Sequence, residues 1–271
     1  MRAATYIKRL GKYLIKGIPE KKVFVNVHAI EYGGILKGKN VVVTGGGSGI
    51  GFAIAQKCAM EGANVMITGR NAEKLKLACE KMRAHTVQYL AFDATDFECL
   101  KANVNAVFSQ SGNRVDVLVN CAGVYIQKKI EQVNEQEWDS LFDTNLKAVF
   151  FMTKYFLPKL KEGSNILMVG SDNAFINSSN PYHLTKTGID GLTRALAKEY
   201  LEKGLRVNAI APGPTLSEIN KTNPANGLQR TDKFRVLLAE EVAEIALFLI
   251  SSASASINGQ TICCDEGDSI R

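Results

Sequence analysis

The sequence predicts a three-layer α/β domain built on a doubly wound parallel sheet, preceded by an N-terminal extension. Three observations predict it. From residue 40 onward, short β-branched apolar runs alternate with stretches of helical periodicity. A glycine-rich turn, Thr44–Gly51, joins the first run to the first helix. No Pro-, Gly- or Ser-rich linker, low-complexity tract or repeat interrupts the interior. Strands buried on both faces read as continuous apolar runs, and right-handed crossovers place the connecting helices on both sides of the sheet. The 271 residues are 46% hydrophobic and 22% charged, which suits one large globular domain and excludes a disordered or collagen-like chain.

The elements follow in order. Val41–Thr44 is the first strand, and an apolar-periodic helix runs from about Ile50 to Glu61. Asn64–Thr68 is the second strand, Ala72–Arg83 a helix and Val87–Phe92 the third strand. Thr95 and Glu98 have capping-box spacing, which predicts a helix start there. Val115–Val119 is the fourth strand, followed by a long helical region from about Glu135 to Leu160. Asn165–Val169 is the fifth strand, Pro181–Leu201 a helix and Arg206–Ile210 the sixth strand. Glu240–Ile250 is a last helix and Gln260–Cys264 a last strand. Pro212–Asp232 is the least regular segment. It falls on the ligand side of such a sheet, as a loop over a site or a plain connector.

Charge divides the chain at residue 36. Residues 1–36 hold seven cations (Arg2, Lys8, Arg9, Lys12, Lys16, Lys21, Lys22) against Glu20 and Glu31, so they carry five of the six net positive charges. Residues 37–271 are therefore near neutral, which argues against a polyanion-binding body. In the extension, Ala3, Tyr6, Ile7, Leu10, Tyr13 and Leu14 recur at helical spacing. The readings left open are a helix docked on the body or on a neighbouring subunit, a membrane-surface helix, and a mitochondrial presequence. A strand-like stretch, Val23–Val27, follows.

No uninterrupted apolar run reaches the roughly 18 residues of a membrane span, and the leader lacks the apolar core of an export signal. The six cysteines fit neither zinc pairs nor a disulfide framework, so a reducing, cytoplasmic setting is expected. His28, His85 and His183 form no metal-ligand grouping, and no metal is expected. An aromatic content of 8% does not suggest a stacking platform, and no nucleic-acid partner is expected.

Glycines in Gly45, Gly47, Ser48, Gly49, Ile50 and Gly51 let the backbone turn sharply and approach a pyrophosphate at a helix N-terminus. The strand-turn-helix context is what such a site requires. An acid at the end of the second strand would bind a ribose 2′-hydroxyl, but no acid occurs between Glu61 and Glu73. Gly69-Arg70 stands there instead. A guanidinium grips a 2′-phosphate that a carboxylate would repel, so NADP(H) is favoured over NAD(H). Arg70 stacked beside adenine, or in solvent, is the alternative reading.

Further motifs occur in order: Asp93, Asn120-Cys121-Ala122-Gly123, Asn145, Ser171, Tyr182-x-x-x-Lys186 and Pro212-Gly213. With the glycine turn, this set resembles the short-chain dehydrogenase/reductase family, in its compact single-domain branch, over about residues 38–268. The resemblance implies that Asp93 accepts a hydrogen bond from the adenine amino group. It implies that Asn120 braces the sheet while Ala122 and Gly123 leave room for the cofactor. Asn145 would hold a water that connects Lys186 to solvent. Pro212 and Gly213 would border the nicotinamide, and Thr215 would bind its carboxamide or a phosphate. It further implies a homo-oligomer, dimer or tetramer, that pairs the helices of the Glu135–Leu160 and Pro181–Leu201 regions. Cys121 stands where the family often has a second Asn, and reads as a small buried residue.

The chemistry of the motif also follows from residue types. Tyr182 and Lys186 are four apart on a helix and share a face. A free tyrosine titrates near about 10, and bringing it to about 7 takes roughly 4 kcal/mol. A cation about 4 Å away supplies about that much at an intermediate effective dielectric, so Lys186 is expected to lower the Tyr182 pKa. Ser171 follows the apolar strand and is expected to orient a carbonyl oxygen toward Tyr182. Tyr182 follows Ser171 by only eleven positions, slightly fewer than the family pattern, which predicts a trimmed loop and an altered substrate pocket. The expected activity is hydride transfer between NADP(H) and a carbonyl or secondary alcohol, with acyl thioesters, steroids, sugars and polyols left open. The alternative is an NADP(H)-binding sensor or scaffold with little turnover.

Overall fold

Val41 and Val43 pack on one face of the central sheet and Val42 on the other, the alternation of a strand buried on both sides. That strand, β1 (Asn40–Thr44), opens a seven-stranded parallel sheet. The computed structural model describes residues 33–83, 86–126, 128–175, 179–216 and 235–270. The extension through residue 32 with its helical pattern, Val23–Val27 and His28, together with His85 and residues 217–234 of the irregular segment, lie outside the described residues.

The other strands are β2 (Asn64–Gly69), β3 (Val87–Ala91), β4 (Val117–Asn120), β5 (Asn165–Val169), β6 (Arg206–Pro212) and β7 (Thr261–Cys264). Their order is β3-β2-β1-β4-β5-β6-β7. The order reverses between β1 and β4, which opens a crevice at the carboxyl ends of those strands.

Helices α1 (Gly49–Met60), α2 (Ala72–Lys81) and α7 (Ala239–Ile250) cover the Val41/Val43 face, through residues such as Ile54, Leu75 and Val242. Helices α3 (Leu100–Gln110), α5 (Ala148–Phe156) and α6 (Pro181–Glu199) cover the Val42 face, through Val104, Phe156 and Ile189. The third-layer arrangement expected from the alternating pattern is thus present. Leu36, at the end of the expected extension, is 2% exposed and belongs to the core. Its amide donates to the Glu61 oxygen at 3.1 Å.

Two local readings are corrected. The Thr95–Glu98 capping box does not form: α3 begins at Leu100, five residues later than Thr95. The Thr95 hydroxyl and amide both donate to Asp93 Oδ1, at 2.7 and 2.9 Å, so the side chain closes a turn around Asp93. Asp96 Oδ1 accepts from the Cys99 amide instead. The region expected as one long helix is α4 (Glu135–Phe142) and α5 joined by a π turn, Asp143–Lys147. Asn145 sits in that turn, 1% exposed, and such insertions often mark functional positions.

Candidate active site

A cleft of about 680 Å³ runs along the carboxyl ends of β1, β2, β4, β5 and β6. It lies at the reversal of strand order, and its volume is within the range of about 300–1,000 Å³ usual for ligand sites. Every expected site residue lines it except Asn120 and Asn145.

The glycine turn forms one wall because side chains do not fit there. Gly45 has φ +68°, and a Cβ on it would come 2.9 Å from Ala122 Cα. A Cβ on Gly51 would come 2.3 Å from the Gly45 oxygen, so α1 packs directly on the turn that precedes it. Ser48, at the N-cap, makes no side-chain capping bond, and the first turn of α1 holds no acid. The amides and positive dipole end of α1 therefore face the cleft without an acidic competitor, the environment that suits a pyrophosphate.

Thr44 fixes the opposite lip. Its Oγ1 accepts from the amides of Cys121 (3.0 Å) and Ala122 (3.1 Å), tying the end of β1 to the stretch after β4. Sequence reading passed over Thr44, although its place directly before the glycines was a signal. Asn120 is 3% exposed and stands behind the cleft wall rather than on it, in the sheet-bracing place that the resemblance implies. Its amide nitrogen donates to Thr153 Oγ1 at 3.0 Å and lies 3.3 Å from Met168 Sδ, linking β4 to α5 and β5. Asn145 is also withdrawn: Oδ1 accepts from the Val124 amide at 2.8 Å and Nδ2 donates to the Val124 oxygen at 2.9 Å. Both ends of its amide pin the loop after β4, and Nδ2 also donates to Thr185 Oγ1 at 3.4 Å. The absent side chain of Gly123 keeps the groups close: a Cβ there would lie 3.2 Å from Asn145 Oδ1 and 3.8 Å from Lys186 Nζ.

The carboxyl end of β5 and the start of α6 bring Ser171, Tyr182 and Lys186 together on the cleft. Asn180 caps α6, its Oδ1 accepting from the Tyr182 amide at 2.8 Å, and Pro181 sets the first turn. Lys186 Nζ is buried and donates to the Val169 oxygen at 2.9 Å, 5.6 Å from the centre of the Tyr182 ring. Tyr125 meets that ring edge-on at 4.8 Å. It was a second omission, recognisable only from its position just after Asn-Cys-Ala-Gly.

Burial pushes Tyr182 above the ordinary tyrosine value, opposed by a hydrogen bond with Ser171. Burial likewise holds Lys186 below its ordinary value, at about 8, partly opposed by Cys121. Desolvation is thus the largest influence on both groups, and the hydrogen bond with Ser171 is what pulls Tyr182 back down. Burial pushes the Cys121 thiol up to about 12, leaving it a protonated wall residue.

At the other end of the cleft, Arg70 Nη1 lies 4.0 Å from Asp93 Oδ2, and its side chain is 65% exposed. Lys74, in the first turn of α2, also lines this end and was not singled out in the sequence. Beyond β6, the Gly213 amide donates to the Cys264 oxygen at 3.0 Å, and Thr215 Oγ1 donates to the Gly213 oxygen at 2.9 Å.

A parallel sheet with this strand order, a glycine turn at its reversal and a Ser/Tyr/Lys set beside it define a dinucleotide-binding oxidoreductase scaffold. The chain belongs to the short-chain dehydrogenase/reductase family. The family sequence described as enoyl-(acyl carrier protein) reductase matches residues 45–269. The 3-oxoacyl-(acyl-carrier-protein) reductase of Chlamydia trachomatis serovar D is 34% identical over 245 residues, covering 86% of this chain and 98% of that protein. Gluconate 5-dehydrogenase of Gluconobacter oxydans is 33% identical over 248 residues, covering 86% and 95%. A short chain dehydrogenase from Burkholderia cenocepacia in complex with NADP superposes with a TM-score of 0.79 at 28% identity, over 85% of this chain and 98% of that one.

Proposed function

We propose that the protein is an NADP(H)-dependent oxidoreductase acting on a carbonyl or secondary alcohol. The convergence of Ser171, Tyr182 and Lys186 on one cleft with the glycine turn carries this reading. The relatives agree in kind: a 3-oxoacyl reductase, a gluconate dehydrogenase and a dehydrogenase in complex with NADP.

The residues present fit a dinucleotide, since Gly45, Gly47, Gly49 and Gly123 line the cleft without side chains and the α1 N-terminus beside them carries no acid. The α1 N-terminus would hold the pyrophosphate, Arg70 the 2′-phosphate, and Lys186 the nicotinamide ribose. When bound, the nicotinamide supplies or accepts the hydride. Tyr182 gives a proton to the carbonyl oxygen in reduction and removes it from the hydroxyl in oxidation. Ser171 orients that oxygen. Its hydroxyl lies 2.8 Å from Asp172 Oδ1, so a carbonyl competes with Asp172 for the serine proton. Asn145 acts through its hold on Val124, keeping the Gly123 stretch close to Lys186.

The test is Tyr182→Phe. Turnover is expected to fall by at least ~100-fold with cofactor binding nearly intact; unchanged turnover would remove the assignment. A homo-oligomer is part of the same reading. Phe150 on α5 and Leu184 on α6 are each 46% exposed, and such apolar residues suit burial against a second copy.

A further inference from the structure

Asp172 is 1% exposed yet lines the cleft directly beside Ser171. An aspartate is seldom so buried unless a cation pairs with it. Among the described residues no ion pair involves it. Its hydrogen bonds fall on one oxygen. Oδ1 accepts from Ser171 Oγ (2.8 Å), the Asn173 amide (2.7 Å) and Asn173 Nδ2 (2.8 Å). Oδ2 accepts none among the described residues, and it faces the lip formed by Gly213, where a Cβ would stand 3.4 Å from it. Asn173 Nδ2 also donates to Ser171 Oγ at 2.9 Å, so Asn173 locks the carboxylate and the serine in one orientation.

We propose that Asp172 is a specificity residue whose free oxygen accepts a hydrogen bond from a substrate hydroxyl next to the reacting carbon, which makes hydroxycarbonyls or polyols the substrate class. This deepens the dehydrogenase reading and rests on it. Three further points favour it. The carboxylate adjoins Ser171, so a group it binds lies within about one bond of the oxygen that Ser171 orients. Burial lifts the Asp172 carboxyl above the ordinary aspartate range, with Asp265 adding to the rise, the mark of an acceptor whose desolvation is not offset by a cation. The same uncompensated acidity, with Asp265 nearby, disfavours a substrate anion at this end of the cleft.

The test compares hydroxyacetone with butanone, which has the same shape with a methyl in place of the hydroxyl. Both are assayed as substrates with NADPH and, in parallel, as ligands of the protein with NADPH by ligand-observed NMR. The proposal expects wild type to prefer hydroxyacetone, and Asp172→Ala to reduce the hydroxyacetone-to-butanone ratio of kcat/KM on the order of tenfold. Asp172→Asn keeps the volume and one acceptor, so it is expected to reduce the ratio by a smaller factor; it carries the test if the alanine variant does not fold. A ratio that neither variant changes, with both ketones turned over, overturns the Asp172 assignment and leaves the dehydrogenase reading standing. Hydroxyacetone-selective binding that Asp172→Asn weakens, without turnover of either ketone, supports Asp172 and overturns the dehydrogenase reading. Equal losses for both ketones indicate a merely structural role and overturn the proposal.

Discussion

Lys186 Nζ donates to the main-chain oxygen of Val169 at 2.9 Å, so the one buried ammonium described on α6 is anchored to the end of β5. That bond fixes where the charge stands but does not offset the loss of water around it, and the group titrates at about 8.

A dependence of stability on pH follows. In the unfolded chain the same ammonium titrates near about 10.4. The unfolded state therefore holds the proton more tightly, so Lys186 opposes folding fully below about pH 8 and is relieved as pH rises through the interval to about 10.4. Tyr182, raised in the fold, acts in the other sense: its stabilising share is lost only above the unfolded tyrosine value of about 10. Between pH 8 and about 10 the lysine dominates the pair. The stability of wild type relative to Lys186→Met is expected to rise across that window by about 2 kcal/mol in urea titrations. Parallel pH profiles for the two proteins would contradict it.

Arg70 should decide cofactor choice. Its guanidinium stands at the end of β2 with 65% of the side chain exposed, and Asp93 approaches it only to 4.0 Å. The pair is weak at that exposure, so the guanidinium remains available to a phosphate. Arg70→Ala is expected to raise KM for NADPH by about tenfold or more and to change KM for NADH little. Equal rises for both cofactors would instead fit a guanidinium stacked on adenine.

The sheet was legible from the sequence because each strand is a short apolar run bounded by turn residues, and β5 matches its expected limits, Asn165–Val169. The cleft lining was legible for residues whose type is unusual in place, such as the glycines before α1 and the Tyr182–Lys186 pair. Thr44 and Tyr125 carried only their positions beside the glycine turn and the Asn-Cys-Ala-Gly stretch, and Asp172 escaped because its role depends on which strand ends meet, a three-dimensional relation that no local pattern encodes. For Asn120 and Asn145 the sequence marks positions where an amide matters, not whether that amide faces the cleft or the protein behind it. Burial around Tyr182 was not legible either, because an approach of charges can be inferred from spacing whereas desolvation cannot.

Thr44 gives the sharpest test of how the two halves of the sheet are held at the cleft. A single hydroxyl oxygen accepts from the amides of Cys121 and Ala122, and the Gly45 backbone passes Ala122 too closely for any Cβ. Thr44→Val has nearly the same shape but no acceptor, and it leaves two amides of a half-buried turn without their partner. The expected loss is about 2 kcal/mol, or roughly 5 °C in Tm for a domain of this size. Thr44→Ser restores the acceptor and should recover most of it. Because Ala122 also lines the cleft, NADPH affinity should fall in the valine variant and return in the serine variant. If the valine variant keeps both its stability and its affinity, the two strand ends are held by the backbone alone and the hydroxyl is incidental.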